Sequence, residues 1–299
     1  MTDTAPVLET SSLGKTFRDF WMRPRVRAVQ DLSLRIERGE VLGLLGPNGS
    51  GKSTTIKMIL GLLRPSAGGV RVFGLPPGHP EVRARVGYLP EVTTLYRHLT
   101  PRETLGFFGA LFDLPRAERR RRVGELLRMV GLEEAADRAV GEFSKGMARR
   151  VGLAQALVND PDFIVLDEPT SGLDPIGRHQ VKTLIRQLAA RGKTILLSSH
   201  LLSEVADVCD RVTVLYRGRL QATGRIGDLL ARRQSVRLTF PAPDDAALAR
   251  LTAAVAAETG APPAVDHPAM TLEEYFLDII ARADGTPAEE PVLAPFLAG

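Results

Sequence analysis

The apolar positions follow two rhythms that alternate along the chain. Val7-Leu8-Glu9-Thr10 reads as a short strand. Residues 26–36 read as another, with Leu32, Leu34 and Ile36 alternating against Ser33 and Arg35. Arg38-Gly39-Glu40 is a turn into Val41-Leu42-Gly43-Leu44-Leu45, an apolar run of the kind buried on both faces of a sheet. A helix follows over 54–60, then strands at 69–73 and 85–89. From about 100 to 159 the strand patterns stop. Thr100-Pro101-Arg102-Glu103 is a capping box with proline at the first helical position, and Leu105, Phe108, Leu111 and Phe112 continue at helical spacing. A second helix over about 115–130 carries Val123, Leu126, Leu127 and Val130 on one face.

Strand rhythm then returns. Phe163-Ile164-Val165-Leu166 is followed by a helix from Pro175 to Ala190, a strand at 194–198, a short helix, and strands at 212–216 and 220–222 joined by Arg217-Gly218-Arg219. This alternation predicts an α/β fold, a mostly parallel sheet flanked by helices with antiparallel N-terminal strands. Residues 100–159 form a helical subdomain inserted into a domain spanning 1–224. Residues 225–284 read as a small accessory α/β segment, with a strand at 236–240, an alanine-rich helix at 246–258 and a last helix at 271–280. The Pro/Ala/Glu-rich stretch 285–299 reads as a disordered tail.

Composition narrows the setting. No apolar stretch is long enough to span a bilayer, and the N-terminus has no basic-then-apolar secretion signal, so an intracellular protein is expected. Cys209 is the single cysteine, which excludes an intrachain disulfide and reads as a buried small apolar residue. Residues 241–299 hold two arginines against ten Asp and Glu, leaving 37 basic and 25 acidic residues in 1–240. A basic body fits nucleotides, nucleic acid or an anionic membrane and does not choose among them. Residues 17–27 combine Phe20, Trp21 and Met22 with Arg18, Arg23, Arg25 and Arg27. The reading preferred on pattern is a solvated hairpin whose aromatics pack locally; contact with lipid headgroups or a partner is the alternative. The run Arg119 to Arg122 reads as a solvated helix face.

The candidate chemistry begins at Gly46-Pro47-Asn48-Gly49-Ser50-Gly51-Lys52-Ser53, between a buried strand and a helix that starts near Thr54. This is G-x-x-x-x-G-K-[ST] in the strand–turn–helix context that gives it meaning. Its glycines let successive N–H groups turn inward toward phosphate oxygens, and the helix N-terminus adds positive potential. Lys52 should reach the β- and γ-phosphates, and the Ser53 hydroxyl should bind Mg²⁺. Asp167 and Glu168 close the strand at 163–166, at the carboxyl edge where open α/β sheets bind ligands. Asp167 fits a Mg²⁺-holding aspartate, and Glu168 a residue that polarises a water for in-line attack.

Five landmarks in this order, spanning about residues 7–224, resemble the nucleotide-binding subunit of ATP-binding cassette (ABC) transporters. They are the phosphate loop, Glu142-Phe143-Ser144-Lys145-Gly146-Met147 at the signature, Leu166-Asp167-Glu168-Pro169-Thr170 at Walker B, Ser171-Gly172-Leu173-Asp174-Pro175 at the D-loop, and Ser198-Ser199-His200 at the switch histidine. The resemblance implies an ATPase using ATP and Mg²⁺, active as a head-to-tail dimer of two such subunits. Ser144, Lys145 and Gly146 would meet the ATP held by the other copy, Asp174 would support contacts across the dimer, and His200 would sense the γ-phosphate. Glu91 stands at the Q-loop glutamine position and would be a metal ligand through oxygen. Phe17 stands at the adenine-stacking position, with a core role equally open. The departures at Phe143, Lys145, Met147 and Glu91 resemble exporter-type cassettes that serve a separate ABC-2 permease. The implied setting is peripheral, on the cytoplasmic face of the membrane, with no nucleic-acid partner. The alternative is a soluble ABC ATPase acting on nucleic acid or ribosomes.

Overall fold

The computed structural model describes residues 5–21, 23–230, 243–265 and 291–298. Their backbone forms two sheets. The first has the order β2-β1-β4 and is antiparallel: β1 is Leu8–Arg18, β2 Pro24–Ile36 and β4 Ala67–Val72. The second has the order β5-β6-β7-β3-β8-β9, with β3 Val41–Leu45, β5 Val86–Leu89, β6 Phe163–Asp167, β7 Thr194–Ser199, β8 Arg211–Tyr216 and β9 Arg219–Arg225. All pairs in it are parallel except β8 with β9, which the Arg217-Gly218 turn makes antiparallel. β3, β6 and β7 are buried along their whole length, as continuous apolar runs require in the middle of a parallel sheet.

β1 is far longer than Val7 to Thr10. Its pairing with β2 shifts register at four places between Thr10 and Arg18, and each shift resets the inside–outside alternation. A strand of this kind does not keep period two in its sequence.

Helices α1 (Lys52–Ile59) and α2 (Pro80–Ala84) precede the helical insertion. The insertion contains α3 (Pro101–Leu111), α4 (Arg116–Met129) and α5 (Lys145–Ala156), and no strand among its described residues. Thr100 and Glu103 form the reciprocal capping box that starts α3. Val123, Leu126 and Leu127 of α4 face α3 and α5 and join one core with Ile164 and Leu166 of β6. α6 (Pro175–Ala190) and α7 (Leu202–Val208) cover the following strands, and Leu42, Leu44 and Phe163 join α1 and the antiparallel sheet in a second core.

The chain divides into two compact units, Met1–Leu229 with Ala288–Gly299, and Leu230–Pro287. In the second, α8 (Asp245–Thr259) is capped by Asp244 and ends at Gly260, matching the alanine-rich helix of the sequence. The strand expected at 236–240 and the helix at 271–280 lie outside the described residues.

The disordered tail does not hold for its final part. Residues 291–298 pack into the first unit, with Ala294 and Leu297 fully buried in the helical core. Arg122 of α4 explains part of this: its guanidinium sits 4.5 Å over the Phe296 ring and donates to the Val158 carbonyl at 3.2 Å. The arginine run is therefore not simply a solvated face. Arg121 and Arg122 both pair with Glu118, which is drawn down to about 2 by those hydrogen bonds.

Candidate functional site

The phosphate loop bridges the end of β3 and the start of α1. No side chain caps α1; its N-cap is Gly51, at φ +106. A Cβ there would lie 2.5 Å from the Ala28 carbonyl, so glycine is required by both backbone conformation and space. The loop is held from behind: the Ser50 carbonyl accepts from Gly218 N–H at 3.0 Å, and Gly218 in turn accepts from Gln30 N–H at 2.7 Å. The β8–β9 turn thus fixes the loop against β2. Ser50 Oγ is buried with no hydrogen-bond partner. An uncapped helix start, an orphaned buried hydroxyl and a buried lysine together suit a bound phosphate.

Lys52 and Glu168 are both 6% exposed, and their charged ends approach to 3.5 Å. Lys52 Nζ also donates to the Gly46 carbonyl at 2.6 Å. Glu168 follows β6 with φ +51, a left-handed conformation that costs on the order of 1–3 kcal/mol for a residue other than glycine. The turn aims its side chain differently from that of Asp167, as two adjacent carboxylates with separate tasks require. Glu168 N–H donates to the Ser198 carbonyl and hydroxyl, which holds the turn. Its Oε2 accepts from His200 Nδ1 at 2.8 Å. Asp167 is buried and accepts from Ser198 Oγ through Oδ1. Beside it, burial and then the Asp167 charge push Tyr88 up to about 12, so its hydroxyl stays protonated.

The structure therefore brings Gly46 to Thr54, Asp167, Glu168 and His200 to one sheet edge. Among the described residues no three His, Cys, Asp or Glu side chains form a metal cage. Mg²⁺ ordinarily takes one or two carboxylates, keeps waters and shares substrate phosphates, so the donor set Ser53, Asp167 and Glu91 suits it. Glu91 has an exposed side chain beyond the end of β5.

Ser144, Lys145, Gly146 and Asp174 form a second group. Ser144 N-caps α5, its Oγ accepting from Met147 N–H at 3.1 Å, which leaves the hydroxyl proton free to donate. Asp174 N-caps α6 through Gly177 N–H at 2.7 Å. A Cβ on Gly146 would lie 3.5 Å from Leu173, so the two helix starts adjoin. Phe17 is 41% exposed and belongs to no core cluster, which removes the core reading for it.

Arg149 was not singled out in the sequence. It lies one helical turn into α5 and is 4% exposed. Its guanidinium donates to the Asp167 and Glu168 carbonyls at 2.6 and 2.7 Å and to the Pro169 carbonyl at 3.2 Å. It also donates to the carbonyls of Pro90 and Glu91 and to Thr93 Oγ1. Burial pulls it down to about 10, and the neighbouring Asp167 and Glu168 charges limit that fall. One side chain thus ties the signature helix, the Glu91 loop and the backbone of the two site carboxylates. The available signal was an arginine on the apolar side of α5, between the buried Gly152 and Val151 and the helix start, which pattern alone does not separate from a solvated charge.

Comparison with known proteins gives a consistent picture. A family model described as ABC transporter matches residues 29–171. The chain is 41% identical over 257 residues to an uncharacterized ABC transporter ATP-binding protein of Synechocystis, covering 85% of this chain and 73% of that protein. It is 47% identical over 205 residues to the Nod factor export ATP-binding protein I of Paraburkholderia xenovorans, covering 68% and 67%. Among solved structures, an ATP-binding subunit of an ABC transporter superposes with a TM-score of 0.67 at 35% identity, covering 76% of this chain and 92% of the other. A dimeric ATP-binding cassette in a post-hydrolysis state with ADP and phosphate superposes with a TM-score of 0.68 at 26% identity, covering 73% and 98%.

Proposed function

Because this chain belongs to the ATP-binding subunits of ABC transporters, we propose that it hydrolyses ATP in a homodimer and drives export through a separate ABC-2 type permease, at the cytoplasmic face of the membrane. The observation that carries the reading is Glu168, held in a strained turn between Lys52 and His200. A carboxylate fixed at this edge can take a proton from a water attacking the γ-phosphate. His200 keeps its orientation through Oε2 and stands ready to contact the same phosphate. Lys52 and the N–H groups of residues 49–54 neutralise the phosphates. Ser53, Asp167 and Glu91 would hold Mg²⁺, which when bound spreads the charge that develops on the phosphates. Ser144, Lys145 and Gly146 complete the pocket of the second copy, and Phe17 offers a partly exposed ring for adenine.

Export is supported by the relatives named for Nod factor export, and dimerisation by the dimeric cassette of similar fold. The Glu91 loop supports permease contact, because Arg149 joins it to the carboxylates and so gives a movement there a route to the site. The test is Glu168→Gln. ATP binding should persist, phosphate release should fall by at least about a hundredfold, the scale of a lost general base, and an ATP-trapped dimer should accumulate. Phosphate release equal to that of the unaltered protein would remove Glu168 from this role.

A further inference from the structure

The β1–β2 hairpin carries a feature that ATP binding does not use. Phe20 and Trp21 at its tip are 91% and 72% exposed. Their rings meet edge to face, with centroids 5.4 Å apart, and among the described residues no other ring joins them. They are held outward rather than left loose: Asp19 Oδ1 accepts from both Trp21 N–H and Arg23 N–H at 2.9 Å, closing the turn beneath them. Among the described residues, the local ring packing expected from sequence is this pair.

Behind the aromatics lies positive charge. From Ser11 to Gln30 the chain has Lys15, Arg18, Arg23, Arg25 and Arg27, and Asp19 as its single acid. Arg23, Arg25 and Arg27 are exposed, and among the described residues their side chains have no ion pair or hydrogen bond. Arg25 and Arg27 both lie on β2, in its exposed first four residues next to the tip. The arrangement is an apolar tip with a cationic collar. Tryptophan and phenylalanine settle at the boundary between headgroups and acyl chains, and arginines pair with anionic headgroups just outside it.

We propose that this hairpin tip docks into an anionic lipid surface, with Phe20 and Trp21 entering the interface and Arg23, Arg25 and Arg27 holding lipid phosphates. The proposal goes beyond ATP hydrolysis and does not require it. It would give a subunit with no membrane-crossing helix among its described residues a second hold on the bilayer, beside its permease. Phe20 lies three residues beyond Phe17, in the turn past the end of β1, so the lipid contact and the adenine-side ring share one hairpin.

Trp21 is the only tryptophan in the chain, so its fluorescence reports on the tip alone. The full-length protein is titrated with vesicles of phosphatidylglycerol and phosphatidylcholine, and separately with vesicles of phosphatidylcholine only. The expected result is a saturable blue shift with the anionic vesicles, reversed at high salt and absent with the neutral ones. Each arginine near an anionic surface contributes about fivefold to partitioning. Replacing Arg23, Arg25 and Arg27 together by alanine should therefore weaken binding roughly a hundredfold, and Phe20→Ser should weaken it while leaving Trp21 as probe. ATP binding, measured on the same samples, should be unchanged in every variant. Unchanged Trp21 emission on anionic vesicles, in protein that still binds ATP, would overturn the proposal. So would an equal shift on neutral vesicles, a shift produced by protein concentration alone, or a shift with single-stranded nucleic acid but not with lipid.

Discussion

Replacing Arg149 by methionine removes the guanidinium and keeps most of the apolar stem. Six acceptors lose a donor: five carbonyls and the Thr93 hydroxyl. The Glu168 carbonyl keeps a second partner in Ser171 N–H, and Glu91 is exposed and can turn to water. The heaviest losses fall on Asp167 and Pro169, both buried. A buried group left unsatisfied costs about 1–3 kcal/mol, and relief from burying a charge offsets part of the sum. A net loss of roughly 4 kcal/mol follows. For a unit of this size each kcal/mol lowers Tm by about 2–4 °C, so the drop should be on the order of 10 °C.

The effect on turnover should exceed the effect on nucleotide affinity. Arg149 touches neither the phosphate loop nor α1, but it holds the backbone of the residue assigned as base. A displacement of about 1 Å at such a group can cost about a hundredfold in rate. Thermal unfolding, equilibrium ATP binding and steady-state phosphate release on one preparation separate the two. We expect kcat to fall at least tenfold while Kd for ATP changes less than threefold. Arg149→Lys should recover part of the stability but little of the rate, because a compact ammonium with three donors does not span three segments. Arg149→Met with Tm within about 2 °C of the parent and an unchanged kcat would refute the reasoning.

Burial, and to a lesser degree Asp210, pushes the Cys209 thiol up to about 12 from an ordinary 9.0. At pH 8 only about one molecule in ten thousand then carries the thiolate. Reaction with a disulfide reagent should be slow in the native protein and fast in denaturant; a fast native reaction would show the thiol to be open. Because the folded chain keeps this proton and the unfolded chain releases it, the thiol's contribution to stability falls as pH rises from about 9 toward 12. Leu297→Ala should cost about 2–5 kcal/mol, as for other fully buried leucines. A denaturant midpoint equal to the parent's would mean that residues 291–298 do not hold the helical core.

The chain alone determined what short-range physics controls. The strand–turn–helix around Gly46 to Ser53, the capping box at Thr100 and Glu103, and the helix from Pro175 to Ala190 each rest on neighbours within one or two turns, and each lies where the pattern put it. Tertiary structure decided what depends on distant groups. The bulges of β1 are set by its partners β2 and β4, so its length was hidden. Phe17 looked as able to fill a core as to stack, and the tertiary structure leaves it 41% exposed and outside the core clusters of the described residues. The Glu168–His200 contact joins residues 32 apart, and Arg149 reaches carbonyls up to 59 residues away. Local periodicity carries no record of such meetings, because a charge facing water and a charge facing buried carbonyls occupy the same kind of position in a helix. The tail shows the same limit: proline and alanine mark it as unstructured, and Leu297 finds a core only because α4 presents one.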